Sequence, residues 1–413
     1  MQINIRRGSH QIGGTCIELE AQGKRLVLDI GMPLDAPDPD KVEMPAVKGF
    51  DTADPTLLGV VLSHPHQDHY GLANRVPPTT PFLVGAAAQQ ILEAATVFTP
   101  SGGKFASVIH LVDRNPIPLG PFTITPFLMD HSAFDSYAVL IEADGRRIFY
   151  TGDLRAHGNK AKLFERLVHH PPAGVDVLLM EGTTIGRQDA NEHYKTEAEL
   201  IPEFTQLFTA TKGLALVWSS GQNIDRLVTI FKAARKARRQ FIVDMYTATI
   251  LDATGNASIC GALHNNMRVF LPSSQRKQIK EQHRFDVSDR YKARRIFPGK
   301  LPEAASRSVL LFRPSMCRDL ERAGCLEGAE LVYSLWDGYL KKEQKFLAWL
   351  GERDIPLRKC HTSGHAPLCD LKRLRQAFAT TIVVPVHCAD PEAFAQHFER
   401  VVRHADNEWW EIK

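Results

Sequence analysis

The 413-residue sequence predicts an α/β protein in which one discontinuous domain carries a second, inserted domain. Three observations support this prediction. Short β-type runs separated by turns dominate the first part of the chain. Buried strands then alternate with amphipathic helices, which is typical of a parallel sheet. The last part again contains a His-rich loop and a strand, as the first part does. We therefore expect a first domain at 1–195, an insertion at 196–344 and a return to the first domain at 345–413.

The first part begins with a hairpin, because Cys16–Glu20 and Arg25–Ile30 flank the turn residues Gln22-Gly23-Lys24. Asp144-Gly145 is a second turn signal between two strands. Strands of this density with few helices indicate packed sheets with helices outside them. The further strands predicted here are Leu58–Leu62, Phe122–Phe127, Tyr137–Glu142, Arg147–Tyr150 and Val175–Met180.

The inserted part reads as a βαβ series, which predicts a parallel, Rossmann-like sheet. Its predicted elements are the helix Thr196–Thr211, the strand Gly213–Trp218, the helix Ile224–Arg238 and the strands Gln240–Met245, Ser308–Phe312 and Glu330–Tyr333. A polar, basic stretch at 273–307 is expected to hold loops or surface helices. The elements predicted after it are the helices Lys341–Gly351, Cys369–Ala379 and Pro391–His404 and the strand Thr381–Val386.

Composition excludes several classes of protein. The net charge is +3, from 50 Lys and Arg against 47 Asp and Glu, which neither requires nor excludes a nucleic-acid partner. No apolar run approaches the roughly 18 residues of a membrane span, so no membrane partner is expected. The N-terminus lacks a secretory pattern, and the seven cysteines form no CxxC pair. We expect a reducing, cytoplasmic location.

The strongest chemical signal is the loop Ser63-His64-Pro65-His66-Gln67-Asp68-His69-Tyr70-Gly71, which directly follows a buried strand. Imidazole nitrogens and carboxylate oxygens are good ligands for zinc and similar metals. His64 and His66 can converge on one metal, while Asp68 and His69 point toward a second position. The alternative, a polar surface loop that is rich in histidine, fits the spacing less well.

Other candidate ligands also follow predicted strands, where binding sites tend to form. His131 follows Phe122–Met129, Asp153 follows Arg147–Tyr150, and His387 follows Thr381–Val386. Asp29 also ends a strand, and we expect its carboxylate to orient one of the ligand histidines. Each of these residues alone could be an ordinary loop residue, and Asp29 could simply form the turn before Gly31.

The order of these residues resembles the metallo-β-lactamase superfamily. This resemblance implies an αββα sandwich with a dinuclear zinc site at one edge of the sheets. It implies that His64, His66 and His131 bind one zinc, that Asp68 and His69 bind the other, and that Asp153 bridges them.

Three later motifs are similar to those of the β-CASP nucleases, which include ribonuclease J and the mRNA 3′-end-processing endonuclease. They are Glu181 after a strand, His365 within Ser363-Gly364-His365-Ala366, and His387 after Val384-Pro385-Val386. In that family a histidine at the last position is typical of members that process RNA. One departure is the strand end Phe312-Arg313-Pro314-Ser315, which lacks the Gly- and Ser-rich sequence of ribonuclease J.

The resemblance implies two Zn²⁺ per chain, with Mn²⁺ as an alternative, and hydrolysis of single-stranded RNA to 5′-phosphate and 3′-hydroxyl ends. Asp68 and Asp153 would orient the attacking water, and His365, placed by Glu181, would protonate the leaving oxygen. Ser363 and Gly364, beside His365, are expected to contact substrate. His365 could instead be a capping or core histidine, and Glu181 a surface carboxylate.

The insertion offers further candidates for binding the RNA backbone. Ser219, Ser220, Asn223 and Arg226 follow a strand and open a helix, whose N-terminus suits a phosphate, although plain N-capping explains them equally well. Two basic groups could help, but either could be an ordinary solvated surface. The first comprises Lys232, Arg235, Lys236, Arg238 and Arg239, and the second Arg276, Lys277, Lys280, Lys292, Arg294 and Arg295.

The alternatives are a DNA nuclease of the same family, a small-molecule metallo-hydrolase of the lactonase or thioesterase type, and a non-enzymatic subunit of a processing complex. The first is disfavoured only by His387. Glu181, His365 and the insertion argue against the second, and the complete set of ligand positions argues against the third. A homo-oligomer and a processing-complex partner both remain compatible with the sequence.

Overall fold

The computed structural model describes residues 1–99, 102–187, 193–379 and 381–412. The chain forms two compact units. The first comprises 1–93, 101–194 and 364–413, and the second comprises 94–100 and 195–363.

The strands in the described residues are β1 (Gln2–Arg7), β2 (Cys16–Ala21), β3 (Lys24–Leu28), β4 (Leu57–Val61), β5 (Phe82–Gly85), β6 (Val108–Leu111), β7 (Ile117–Leu119), β8 (Phe122–Leu128), β9 (Tyr137–Ala143), β10 (Arg146–Tyr150), β11 (Val177–Glu181), β12 (Ala215–Trp218), β13 (Gln240–Asp244), β14 (Met267–Phe270), β15 (Arg295–Ile296), β16 (Ser308–Leu311), β17 (Glu330–Tyr333), β18 (Leu357–Lys359), β19 (Ile382–Val386) and β20 (Trp409–Glu411). The α-helices are α1 (Gln67–Tyr70), α2 (Ala86–Ala95), α3 (Ala161–His169), α4 (Glu197–Ala210), α5 (Ile224–Lys236), α6 (Met245–Ala253), α7 (Ser273–Glu281), α8 (Phe285–Arg290), α9 (Leu301–Ala304), α10 (Cys317–Ala323), α11 (Asp337–Leu340), α12 (Gln344–Gly351), α13 (Leu368–Ala377) and α14 (Pro391–His397).

The first unit is a sandwich of two mixed sheets. One sheet has the order β20-β1-β2-β3-β4-β5-β6, and the other has the order β19-β11-β10-β9-β8-β7. Alternate residues of both sheets point inward and form one shared core, which includes Ile3 and Leu28 from the first sheet and Ile141 and Leu179 from the second. Burial of these apolar side chains between the sheets is the main favourable contribution to the free energy of folding of this unit.

Helices cover the outer faces of both sheets. Phe164 of α3 and Leu371 of α13 pack on the second sheet, and Leu92 of α2 packs on the first. The predicted αββα metallo-β-lactamase sandwich is therefore confirmed.

The arrangement of the strands explains where the predicted site residues gather. β3 and β4 are parallel neighbours in the first sheet. In the second sheet, β10, β11 and β19 are also parallel neighbours. Parallel neighbours end at the same edge of a sheet, so residues that follow these strands lie close together.

The second unit is built on a parallel sheet with the order β15-β14-β13-β16-β12-β17-β18. The described pairings in this sheet are all parallel, as the predicted βαβ series requires. Its continuous apolar strands, such as Ser308–Leu311, are buried along their whole length. The prediction of an inserted, Rossmann-like sheet is confirmed. The short strand β15 lies within the stretch at 273–307, where we expected loops or surface helices, and β14 lies just before it.

The second unit extends to Ser363, beyond the boundary expected at residue 344. β18 pairs with β17, and Phe346 and Leu350 of α12 pack in the core of this unit. Pairing and burial therefore tie the segment after residue 344 to the second unit. Because the local sequence pattern of a helix does not reveal which core it covers, the boundary was misplaced by one helix and one strand.

The C-terminal segment also differs from the prediction. The last helix ends at His397 instead of His404. After it the backbone becomes extended, Val401 forms a bridge with Val383, and Val402 N donates to Val383 O at 2.9 Å. β20 then pairs antiparallel with β1, so that the two ends of the chain are neighbours in the first sheet.

Among the helices of the described residues, none combines the length and the apolar character that crossing a membrane requires.

The N-terminus of α4 offers a test of the local sequence signal. Thr196 accepts a hydrogen bond from Glu199 N, and the Glu199 side chain accepts one from Thr196 N, which together form a capping box. We expect Thr196→Ala to lower the free energy of unfolding by about 1 kcal/mol, because it leaves a backbone N–H at the helix end without its partner. Urea denaturation followed by circular dichroism measures this change.

The matched control is Thr209→Ala, which removes an exposed threonine from the last turn of the same helix. A loss of stability in this control equal to that in Thr196→Ala would contradict the capping role.

Candidate metal centre

The histidine-rich loop after β4 is held in place by the backbone of residues 30–32. Ile30 N donates to His69 O and Met32 N donates to Gln67 O, both at 2.9 Å. Gly31 lies so close to the Asp68 carbonyl oxygen that a Cβ at this position would collide with it. The loop therefore packs directly on the segment that follows β3, and this packing fixes the directions of its side chains.

A first cluster joins His64 and His66 of this loop with His131, and the ligand atoms of the three lie within 4.8 Å of one another. His131 Nε2 is 3.1 Å from His66 Nδ1. His64 Nε2 is buried and has no hydrogen-bond partner among the described residues. A buried polar atom without a partner is costly, and a metal ion at this position would supply one.

A second cluster contains Asp68, His69, Asp153 and His387. His69 Nε2 lies 3.1 Å from Asp153 Oδ2, and His387 Nε2 lies 3.3 Å from Asp68 Oδ2. The same Asp153 oxygen is 3.7 Å from His64 Nε2 of the first cluster. Asp153 therefore lies within reach of both groups, in the position that the resemblance assigned to a bridging ligand.

Asp29 orients the second cluster. Its Oδ2 is 2.8 Å from His69 Nδ1, so the opposite ring nitrogen of His69 faces Asp153. Asp29 also accepts hydrogen bonds from Ser63 N, Ser63 Oγ and the Tyr150 hydroxyl, the last at 2.6 Å. A carboxylate on the far nitrogen of a ligand histidine fixes its tautomer and strengthens its basicity.

Three side chains that the sequence motifs did not point to hold the candidate ligands in place. Tyr150 and Ser63 hold Asp29, and the Thr183 hydroxyl lies 2.8 Å from His387 Nδ1. Tyr150 and Thr183 each lie within three residues of a predicted site residue. The signal was therefore a hydroxyl beside a strand end, but the sequence does not show which histidine or carboxylate that hydroxyl would meet.

Glu181 and His365 form a pair next to both clusters. His365 Nδ1 is 3.1 Å from Glu181 Oε2, and Leu154 N donates to Glu181 Oε1 at 2.8 Å. The side chain of His365 is 23% exposed, whereas Glu181 is buried. Gly364 lies against Ser132, where a Cβ would be 2.7 Å from the Ser132 hydroxyl oxygen. The chain at this point can approach only because Gly364 has no side chain.

The surroundings of the histidines favour metal binding. Burial lowers the pKa of His64 and His131 well below the usual histidine value, and neighbouring imidazoles lower it further. Burial likewise lowers the pKa of His66 to about 4. All three rings are therefore neutral at pH 7, and a neutral ring nitrogen is the form that binds a metal.

Asp153 and His365 are charged at the same pH. Burial opposes ionisation of Asp153, but His387 and His69 outweigh it and hold the Asp153 pKa well below the usual carboxyl range. Burial alone would lower the pKa of His365, but the Glu181 and Asp153 carboxylates outweigh it and raise this pKa to about 9. The first cluster thus presents neutral imidazole nitrogens from His64, His66 and His131, and beside it lie the anionic Asp153 and the protonated His365.

The residues expected to bind phosphate in the second unit have other contacts. Arg226 is fully buried and pairs with Glu197 at 3.0 Å, and it also donates to Thr362 O. It is therefore a structural residue, which corrects its predicted role in substrate binding. Asn223 caps α5 by accepting from Arg226 N, which is the alternative that the sequence left open.

The remaining predicted substrate-binding residues differ in burial and in hydrogen bonding. Ser220 Oγ accepts from Gln222 N in the loop before α5. Ser219 is buried at the end of β12, and its hydroxyl has no hydrogen-bond partner in the part of the chain that the structure describes. Ser363 is half-buried and ends the second unit. Arg239, from the first basic group, is buried and donates to Gly213 O and Ser308 O, so it too presents no charge to solvent.

Comparison with known proteins agrees with this geometry. Residues 39–215 match the family model described as the Beta-lactamase superfamily domain. The αββα sandwich and the His- and Asp-lined clusters at its edge agree with this match to a metallo-β-lactamase superfamily domain over residues 39–215.

The chain is also similar to several proteins named Ribonuclease J. It is 24% identical to that of Helicobacter pylori over 57% of this chain and 35% of the relative. It is 22% identical to that of a Synechocystis species over 92% of this chain and 59% of the relative. The chain thus spans about a third of the first relative and little more than half of the second. The predicted resemblance is confirmed at this low level of identity.

A solved structure of a protein of unknown function from Enterococcus faecalis V583 covers 99% of this chain and 99% of its own, with a TM-score of 0.79 and 20% identity. At this identity the likeness shows that the two proteins share their fold.

The contact between Asp29 and His69 can be tested through metal affinity. We expect Asp29→Asn to weaken binding of zinc by about 10- to 100-fold, because the amide cannot fix the histidine as the carboxylate does. Competition of the purified protein with a chromogenic chelator measures the affinity.

Asp51→Asn, at an exposed aspartate of the same unit, is the matched control and should bind zinc like the wild type. Unchanged zinc affinity in Asp29→Asn would show that Asp29 has no part in placing the ligands.

Proposed function

We propose that this chain is a metal-dependent nuclease that hydrolyses phosphodiester bonds of single-stranded RNA. The observation that carries the proposal is the Glu181–His365 pair, which sets a protonated, partly exposed imidazole beside two clusters of metal-ligand side chains. The similarity to proteins named Ribonuclease J, which extends over 92% of this chain in the Synechocystis relative, supports it.

The donor atoms fit two zinc ions. His64, His66 and His131 would hold one, Asp68, His69 and His387 the other, and Asp153 would contact both. Nitrogen and carboxylate ligands suit zinc, and manganese is the alternative when more oxygen ligands are recruited. When bound, such ions supply Lewis acidity to a phosphoryl oxygen and lower the pKa of water.

The side chains of the protein account for the proton transfers. Asp68 and Asp153 would accept hydrogen bonds from the attacking water and orient its oxygen toward phosphorus, and the proton that the water loses would pass to solvent. The new bond joins that oxygen to phosphorus, and the bond from phosphorus to the 3′-oxygen breaks. His365 would donate its proton to the departing 3′-oxygen. The products are a 5′-phosphate and a 3′-hydroxyl.

Glu181 would act on His365 and not on the substrate. Its carboxylate raises the pKa of His365 to about 9, so the imidazole carries its proton at neutral pH. Because Leu154 N holds the other Glu181 oxygen, the pair keeps one orientation. This mechanism uses no 2′-hydroxyl, so single-stranded DNA is the natural comparison substrate.

The test is cleavage of 5′-labelled single-stranded RNA, with DNA of the same sequence beside it. We expect His66→Ala and chelator treatment to abolish cleavage, because each removes metal from the site. We expect His365→Ala to slow the reaction by about 10²- to 10⁴-fold, the usual contribution of a positioned acid. His169→Ala, at a histidine whose side chain is 68% exposed, is the control and should cleave like the wild type.

Failure of the metal-loaded wild type to cleave RNA would overturn the proposal. Cleavage of DNA alone would identify the DNA nuclease, and hydrolysis of lactones or thioesters without cleavage of nucleic acid would identify the small-molecule hydrolase. Separation of the labelled products distinguishes cuts inside the strand from removal of terminal nucleotides.

A further inference from the structure

Two exposed aromatic rings follow β17 in the second unit. Trp336 is 52% exposed and Tyr339 is 45% exposed, and their ring centroids are 5.4 Å apart in an edge-to-face arrangement. Large aromatic side chains cost free energy when they face water, since each has much apolar area to bury. Two exposed aromatic rings on one short segment therefore indicate a binding surface.

The indole is held in this exposed position by its own loop. The Trp336 ring lies over Gly338 so closely that a Cβ on Gly338 would collide with it. Trp336 O accepts a hydrogen bond from the Tyr333 hydroxyl at 2.8 Å, and Tyr333 itself is fully buried. Asp337, the next residue after Trp336, forms an ion pair with Lys359 at 2.6 Å. The indole thus packs against Gly338 while about half of the Trp336 side chain faces solvent.

The next residues along the chain are basic. Lys341, Lys342 and Lys345 are exposed, and none of the three forms an ion pair within the described part of the chain. Within the basic stretch at 273–307, Lys277, Arg284 and Arg290 each pair with a carboxylate, whereas Arg276 and Lys280 are exposed like the three lysines near Trp336. The amines near Trp336 are therefore available to an anionic partner.

We infer that Trp336 and Tyr339 form a platform on which a base of single-stranded nucleic acid stacks, while the lysines at 341, 342 and 345 contact its phosphates. This inference rests on the proposed function and names a binding surface for its substrate. Aromatic faces combined with nearby positive charge are how proteins hold single strands without reading their sequence. A protein partner fits less well, because lysine is depleted in protein–protein interfaces.

The experiment measures binding of a fluorescent oligouridine by anisotropy, with the full chain carrying His66→Ala so that the RNA stays intact. We expect Trp336→Ala to raise Kd by about tenfold, within the range for loss of one base–aromatic stack. Trp336→Phe keeps a ring and should recover most of the affinity. Gly338→Ala keeps the indole but displaces it, and should weaken binding as Trp336→Ala does.

Two controls separate stacking from other effects. Trp409→Ala removes a tryptophan that is 38% exposed in the first unit and should leave Kd unchanged. An oligomer that keeps the sugar–phosphate backbone but lacks bases should bind Trp336→Ala and its parent equally, because only the bases stack. Circular dichroism and thermal melting of each variant check that the fold is intact.

An unchanged Kd for oligouridine in a folded Trp336→Ala overturns the inference and leaves a protein partner to account for the exposed rings. An equal loss of affinity for the base-free oligomer also overturns it, because the contact would then be to the backbone. The outcome is separable from the cleavage test. If Trp336→Ala weakens RNA binding but the wild type cuts no RNA, the proposed nuclease activity is refuted and the platform stands. If the wild type cuts RNA but Trp336→Ala binds it unchanged, the platform is refuted and the nuclease activity stands.

Discussion

The Asp29 carboxylate is the contact on which the candidate centre depends. It follows β3 in the first sheet, receives the Tyr150 hydroxyl from the end of β10 in the second sheet, and holds both Ser63 and His69 of the histidine-rich loop. One side chain thus connects the two layers of the sandwich with the loop that carries four of the candidate metal ligands, His64, His66, Asp68 and His69. Asp29 itself has a φ of +58°, a conformation that costs free energy for a residue other than glycine. The hydrogen bonds that it accepts compensate for this cost.

The centre concentrates charge where the sandwich would otherwise be apolar. Asp153 and His387 are almost fully buried, as are His64 and His69. Burial lowers the pKa of His69, but Asp153 and Asp29 outweigh it and hold that pKa well above the usual value. A divalent cation competes with this proton for the same nitrogen, so metal binding and proton release at His69 are linked. The carboxylates that make the site costly to bury are the groups that a cation stabilises.

The sequence predicted the fold class, and the structure brings the candidate ligand residues together, because each follows a strand and β10, β11 and β19 are parallel neighbours that end at one edge of the second sheet. His64, Asp153 and His387 are far apart in the chain, but each position has a local pattern that can be read without the fold. The supporting hydroxyls of Tyr150 and Thr183 could not be predicted in this way, since their partners are fixed by which strands are adjacent. The same limit applies to the boundary of the second unit, because helix α12 shows its apolar face but not the core that it covers.

Arg226 shows why a basic residue at a helix N-terminus is ambiguous. An arginine that opens a helix after a buried strand suits a bound phosphate, but it suits a buried carboxylate equally well. Here Glu197, 29 residues earlier, occupies that place. A buried pair of this kind stabilises the fold only weakly, whereas loss of one partner leaves an unpaired charge inside the protein. Arg239 likewise donates its hydrogen bonds to buried backbone carbonyls of the same unit.

Because Arg226 and Arg239 are buried, the second unit presents fewer positive charges to a polyanion than its count of arginines suggests. The exposed residues determine where on the surface those charges lie. Lys341, Lys342 and Lys345 suit this purpose because they are exposed, whereas Arg226 and Arg239 are drawn into internal hydrogen bonds. A net charge of +3 over the chain gives no strong general attraction to nucleic acid. Recognition of a single strand must then come from local contacts, in which a stacked base adds affinity that charge alone does not supply.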